Sequence, residues 1–311
     1  MGVRSLVIGS RGSRLALWQA EWARARLEQA GAATRIAIIR TSGDRLLDRP
    51  LAAIGGKGVF VKEIEEALLS GAVDLSVHSL KDLPTDQPGG LKIACVPARE
   101  DARDVLLAPG APGLTDLGRG AVIGTGSPRR AGQLRALRPD LRLADLRGNI
   151  ETRIARLRRG DYDAIVLASA GLRRLGIDVE GTVLDFEQML PAVGQGAMAI
   201  EIRSDDREID DLLEAHHHAP TAAAVAAERA LLRGLGGGCQ TPIAAVAEVD
   251  GARLLLRGLV AGPGGEPLFK ERGEGPVGDA ERIGLAMAEA LLARGAGALV
   301  RGATAPLPEA P

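Results

Sequence analysis

The run Val77-His78-Ser79-Leu80-Lys81-Asp82-Leu83-Pro84 ends an apolar strand-like stretch with an imidazole, a hydroxyl, an amine and a carboxylate. An Asp beside a Lys can be a solvated surface pair worth little. Held at a strand end in a cationic crevice, the same carboxylate can stabilise a positive intermediate or move a proton. The residues leave both roles open, and His78 fits a buried structural histidine equally well. A second reactive group is the thiol in Gly236-Gly237-Gly238-Cys239-Gln240-Thr241-Pro242. Three consecutive glycines cost chain entropy and pack nothing, so backbone access or mobility is their purpose. A thiol on such a loop can serve as nucleophile or attachment point. Cys95, inside an apolar strand, reads as core.

Cations are the third feature. The chain balances 39 Lys and Arg against 40 Asp and Glu, a net charge of −1, yet Arg119 to Arg159 holds eleven Arg against Asp140, Asp145 and Glu151. Such a region is either a solvated face in an Arg-rich protein or a site for several carboxylates or phosphates, whose geometry the guanidinium fork matches. Two loops favour an anion. Gly124-Thr125-Gly126-Ser127-Pro128-Arg129-Arg130 follows a strand and opens a helix, with Ser127 as N-cap and Pro128 at the first helical position. Its free backbone N–H groups and paired Arg form an anion site. Leu146-Arg147-Gly148-Asn149 repeats the arrangement, with Asn149 as cap and Arg153 in the next first turn. Gly55-Gly56-Lys57-Gly58 lacks the Ser or Thr a phosphate loop needs after Lys, and reads as a glycine lid with one cation. His216-His217-His218 reads as a solvated connector, because consecutive side chains do not converge on a metal. Trp18 and Trp22 read as core.

The elements that must position these groups alternate. Strands are predicted at Leu6–Gly9, Arg35–Arg40, Val73–Val77, Leu91–Val96, Val105–Ala108, Val122–Gly124, Leu141–Leu143 and Ala164–Leu167. Helices are predicted from the cap Ser13 to Ala30 and at Val59–Leu69, Ser127–Leu137 and Ile150–Arg158. Alternation implies mostly parallel sheet with ligand at the strand ends. Helices at Asp206–Glu214 and Thr221–Leu235 precede three strands, Ile243–Val249, Arg253–Ala261 and Pro267–Arg272, expected as an antiparallel meander. A helix at Asp279–Ala293 closes this α+β unit. The Pro- and Ala-rich tail 303–311 is expected to be disordered.

Composition bounds the function. Near-neutral charge excludes a basic nucleic-acid coat and an acidic tail. No apolar run reaches the roughly 18 residues of a membrane span, and no secretory signal pattern is evident. Two cysteines cannot make a disulfide scaffold.

Taken together, seven stretches resemble the porphobilinogen deaminase (hydroxymethylbilane synthase) family. They are Arg11–Ala20, Gly55–Phe60, His78–Pro84, Gly124–Arg130, Leu146–Asn149, Pro191-Ala192-Val193-Gly194-Gln195-Gly196 and Gly237–Gln240, in the family's order and across nearly the whole chain. The resemblance implies a transferase that joins four porphobilinogen molecules head to tail, releasing ammonia, to give hydroxymethylbilane. It implies a dipyrromethane cofactor bound by thioether to Cys239. Asp82 matches the catalytic carboxylate, which stabilises the azafulvene formed when ammonia leaves. Each pyrrole carries an acetate and a propionate. The resemblance assigns Ser79, Lys81, Asp82, Thr125, Ser127, Arg129 and Arg130 to cofactor binding, and Arg11, Ser13, Arg147, Arg153 and Gln195 to substrate binding or the hinge. Lys57 and Phe60 fall on the lid.

It also implies an α/β fold of two type II periplasmic-binding-protein-like domains plus a small α+β C-terminal domain. The expected boundaries are 1–98 with 195–217, 99–194, and 218–302, with crossings near Pro97–Asp101 and Pro191–Gly196. A cytoplasmic monomer acting on a small molecule, with no nucleic acid, membrane or metal, is the expectation. Three positions depart from the family's pattern. Pro128 stands where relatives often have Leu, Ala53 where some carry Lys, and Glu151 brings a negative charge near Arg153. The competing reading is a non-catalytic solute-binding protein for a multivalent carboxylate, which needs neither Cys239 nor Asp82.

Overall fold

The computed structural model describes residues 5–45, 61–238 and 240–302. The expected lid residues Lys57 and Phe60, the departure at Ala53, the thiol of Cys239 and the tail 303–311 lie outside the described residues. Strands are numbered β1 to β13 in chain order.

The first sheet has the order β2-β1-β3-β10-β4. It consists of β1 (Ser5–Ser10), β2 (Ala33–Ile38), β3 (Leu75–Ser79), β4 (Leu91–Cys95) and β10 (Met198–Arg203). β1 runs parallel to β2 and β3, while β10 runs antiparallel to β3 and β4. The second sheet, β7-β6-β8-β5-β9, repeats that plan. Here β6 (Val122–Gly124) is parallel to β7 (Arg142–Ala144) and β8 (Ala164–Ala168), and β5 (Asp104–Leu107) is antiparallel to β8 and to β9 (Thr182–Leu184). In each sheet the fourth strand alone is reversed, and each reversed strand directly follows a crossing from the other domain. This is the doubly wound, type II periplasmic-binding-protein-like plan, present twice.

Mostly parallel sheet was the expectation, and the reversed strands are the difference. β10 escapes a periodicity reading because a charged residue, Glu201, sits fully buried in its middle. The carboxylate is stabilised by His78, whose Nε2 lies 3.1 Å from Glu201 Oε2 and 2.7 Å from Ser76 Oγ. β9 is too short to show a period, and the helix Ser169–Arg174 also lacked a signal.

The third unit is the predicted meander. β11 (Ile243–Asp250), β12 (Arg253–Ala261) and β13 (Leu268–Pro276) pair in antiparallel register, with Asp250 opposite Arg253 across the Gly251 turn. The helices Ala219–Gly234 and Ala280–Ala293 cover one face, where Leu231, Leu254, Leu256 and Leu291 are fully buried. The other face buries Val246, Leu259 and Ala261 against Leu190 of the second crossing. One buried carboxylate ties this unit to both crossings. Glu228 accepts from Arg99 Nη1 at 2.5 Å, Gly194 N at 2.7 Å and Ala247 N at 2.8 Å. The crossings touch each other at Gly196, whose φ is +84° and whose missing side chain would collide with Glu100 O.

Candidate active site

A cleft of roughly 1420 Å³ opens between the first two sheets. Local sequence builds its walls. Ser13 Oγ caps the helix Arg14–Gln29 by accepting from Ala16 N at 3.3 Å, and Asn149 Oδ1 caps the helix Ile150–Arg158 through Thr152 N at 2.8 Å. Both caps line the cleft, so two helix N-termini add positive potential to it. The short turn Leu80–Asp82, following β3, brings Lys81 and Asp82 to the same wall. It is pinned by Leu80 N donating to Ala197 O at 3.0 Å, so the second crossing sets its height.

Charge in the cleft is lopsided. Arg11, Arg14, Arg40, Arg130, Arg147, Arg153, Arg156, Arg174 and Lys81 line it, against Asp82, Asp145 and Glu151. The imbalance shows in the cations themselves. Burial pushes the Lys81 ammonium down to about 8; Asp82 opposes this and the nearby Arg130 adds to it. Burial likewise lowers Arg153 to about 10, helped by Arg130 and Arg147 and opposed by Asp145 and Asp82. Both side chains are half-buried in the cleft wall, and a polyanion entering the cleft would favour their charged forms.

The residues singled out in the sequence divide into two groups. Arg11, Ser13, Ser79, Lys81, Asp82, Arg130, Arg147 and Arg153 line the cleft together. Asp82 and Ser79 also border a small adjoining cavity of about 70 Å³ with Gln19 and His78. Thr125, Ser127, Arg129 and Gln195 do not line the main cleft. Thr125 accepts from Ser127 N at 3.2 Å, and Ser127 Oγ caps the helix Pro128–Leu137 through Arg130 N at 3.4 Å.

Arg129 and Gln195 serve a node beneath the cleft. Fully buried Asp104, at the start of β5, accepts from Arg129 Nη1 at 2.8 Å, Arg130 Nη2 at 2.7 Å and Gln195 Nε2 at 2.8 Å. Arg129 also donates to Leu190 O at 2.6 Å, and Arg130 to Val166 O at 2.8 Å. Burial alone would raise the Asp104 pKa, but the two guanidiniums outweigh it and hold the carboxyl well below the ordinary range. Arg129 is therefore committed to structure, and Arg130 spends three donors inward while still facing the cleft.

Several contributors had no signal strong enough to single them out. Arg14 lies inside the Arg11–Ala20 stretch, and its Nη1 meets Glu151 Oε1 at 2.8 Å in the wall of the cleft. Glu151, expected near Arg153, lines the cleft with it and forms its ion pair with Arg14. Asp145 Oδ2 accepts from Arg147 Nε at 2.7 Å. Arg174 donates to Gly196 O at 2.7 Å and stands 5.7 Å above the Trp18 ring. The three consecutive histidines form the connector between the helices Arg207–Glu214 and Ala219–Gly234, with His217 and His218 exposed as expected, and each also makes a specific contact. His216 packs edge-on against Trp22, His217 Nδ1 accepts from Val96 N at 3.4 Å, and His218 caps the helix Ala219–Gly234. Cys95 is a fully buried thiol whose pKa burial pushes up to about 12, which leaves it inert as a nucleophile.

Comparison with known sequences adds to this geometry. Residues 6–211 match the family model described as "Porphobilinogen deaminase, dipyromethane cofactor binding domain", and residues 222–293 match "Porphobilinogen deaminase, C-terminal domain". The chain is 50% identical over 299 residues to the porphobilinogen deaminase of Geobacter metallireducens, covering 95% of this chain and 94% of that one. It is 50% identical over 297 residues to that of Moorella thermoacetica, covering 94% and 95%. Among solved structures it is similar to an ancestral cationic amino acid solute binding protein, with 14% identity and a TM-score of 0.44, covering 68% of this chain and 87% of that one.

Proposed function

The chain belongs to the porphobilinogen deaminase family, and from that premise we propose that it is a hydroxymethylbilane synthase. In this reading it condenses four porphobilinogen molecules head to tail, with loss of ammonia, on a covalently held dipyrromethane. The observation that carries the reading is the cleft itself, where eight Arg and Lys81 surround the single turn that presents Asp82.

The residues fit a dipyrromethane. Its carboxylates require several cations in one cleft, and Lys81 and Arg153, half-buried with lowered pKa values, approach that cleft from the two domains that flank it. Cys239 itself lies outside the described residues. Its flanks support a tether: Gly238 and Thr241 close a turn just beyond the helix Ala219–Gly234, through Thr241 Oγ1 donating to Gly238 O at 2.6 Å. When bound, the group supplies the free pyrrole carbon on which the chain grows.

The chain's own residues do the rest. Arg11, Arg147 and Arg153 grip acetate and propionate groups through charge-assisted hydrogen bonds, roughly 1.5–3 kcal/mol each. Asp82 keeps a carboxylate beside the reacting pyrrole, where it stabilises the cation left as ammonia departs. Arg129 and Gln195 act beneath the cleft, holding Asp104 and through it Arg130. The domain boundaries in this reading are 1–98 with 195–217, 99–194 and 218–302. The protein works as a cytoplasmic monomer on a small-molecule substrate.

Intact mass spectrometry tests the reading. The purified chain should exceed its sequence mass by one dipyrromethane, and Cys239→Ser should remove the excess together with activity. A fully active protein of unmodified mass would overturn it.

A further inference from the structure

Asp145 is an acid placed among cations in the wall of the cleft, and its position is tightly specified. Its Oδ2 accepts from Arg147 Nε at 2.7 Å. Tyr162 Oη donates to the Asp145 backbone carbonyl at 2.6 Å, fixing the chain beneath the side chain. The other carboxylate oxygen lies over Gly126. A β-carbon there would come within 3.0 Å of both Asp145 Oδ1 and Leu146 O, so the glycine leaves the room that the carboxylate uses. Asp145 is only about one-fifth exposed. Together with Asp82 it offsets the like charges that Arg130 and Arg147 impose on Arg153. Among the described residues the two Nη atoms of Arg147 make no hydrogen bond, so only the Nε edge of that guanidinium is engaged.

We infer that Asp145 is a specificity-determining residue: its carboxylate stands in for a ligand carboxylate at Arg147 and limits how tightly the cleft holds a polycarboxylate chain. The inference rests on the proposed reaction, in which every added pyrrole brings two more carboxylates into one cationic cleft. Without internal acids the grip would strengthen with each addition, and the longest chain would be the slowest to advance and leave. A tethered carboxylate at Arg147 competes at high effective concentration and caps that gain. It also repels an incoming carboxylate directly. Glu151 does not share this place, since it pairs with Arg14 on the more exposed rim.

The test uses the holoenzyme with Asp145→Asn, which keeps the shape and an acceptor oxygen for Arg147 Nε but removes the charge, and Asp145→Ser as a second variant. KM for porphobilinogen should fall about tenfold, or about 1.4 kcal/mol. Turnover should slow, and native mass spectrometry should show longer enzyme-bound chains accumulating. In a binding arm, calorimetry with benzenehexacarboxylate should show the same tightening. Unchanged KM, chain lengths and benzenehexacarboxylate affinity would overturn the inference, and a raised KM would show that Asp145 only orients Arg147. If the wild-type protein does not turn over porphobilinogen at all, the proposed reaction fails, while the benzenehexacarboxylate arm still decides the role of Asp145.

Discussion

Replacing Asp104 with Asn removes one charge from a node that both crossings share. The carboxylate is fully buried and receives four hydrogen bonds: Arg129 Nη1 at 2.8 Å, Arg130 Nε at 3.2 Å, Arg130 Nη2 at 2.7 Å and Gln195 Nε2 at 2.8 Å. Asn is nearly isosteric, so no cavity opens, but its amide turns a donor toward guanidiniums that need acceptors. Breaking a buried pair by removing one partner costs about 3–5 kcal/mol, because the remaining charge stays desolvated. Here two guanidiniums are left, although Leu190 O and Val166 O continue to accept from them. A domain stable by about 5–15 kcal/mol would lose a large fraction of that margin. Urea unfolding of wild type and Asp104→Asn gives the difference directly. Its pH dependence follows from the depressed Asp104 pKa. The stabilisation is complete above the ordinary carboxyl value of 3.8 and is lost as pH falls through the lower folded value. The gap between the proteins should therefore be flat from about pH 5 to 8 and shrink only in acid. A loss below about 1 kcal/mol at pH 7, or a gap that changes between pH 5 and 8, would refute the reasoning.

Two further outcomes follow from particular contacts. A β-carbon at Gly132 would lie 2.5 Å from Ala261 Cβ and 3.1 Å from Gly262 O, where the helix Pro128–Leu137 meets β12; Gly132→Val should cost about 1–3 kcal/mol by overpacking, and an unaltered melting temperature would show that the two domains yield there freely. Because burial brings Lys81 down to about 8, its positive charge declines as pH rises through that value; KM for porphobilinogen should climb above pH 8, Lys81→Arg should flatten the climb, and a wild-type KM constant to pH 9 would count against a carboxylate-binding role.

Much of the fold was legible because it is locally determined. Ser13, Ser127 and Asn149 each cap the helix they were expected to cap, since capping depends on a side chain and a backbone donor three residues apart. The helix Ile150–Arg158 and the strand Arg253–Ala261 fall on their expected limits, one with a 3.6-residue apolar rhythm and one in a hairpin marked by Asp250-Gly251. β10 was not legible. Its interior Glu201 is tolerable because His78, 123 residues earlier on β3, stands beside it and Gln87 Nε2 donates to its other oxygen at 3.3 Å. Asp104 and Glu228 were missed for the same reason: a charged residue in an apolar neighbourhood looks like a surface position until its distant partners are known.

The cleft shows where local reading of charge stops. Arg129, Arg130, Arg147 and Arg153 are chemically alike, and spacing alone marked all four as anion ligands. The structure divides them by what lies within reach of each guanidinium. Helix geometry turns Arg129 under the sheet toward Asp104 and Leu190 O, where it is 3% exposed and no longer part of the cleft wall. Arg130, one residue on, shares Asp104 but also borders the cleft. Among the described residues Arg147 and Arg153 make local bonds, to Asp145 Oδ2 and Gly148 O, and both line the cavity. A buried carboxylate supplied from another strand thus converts Arg129 into scaffold, shares Arg130 between scaffold and cleft, and leaves Arg147 and Arg153 to face a ligand.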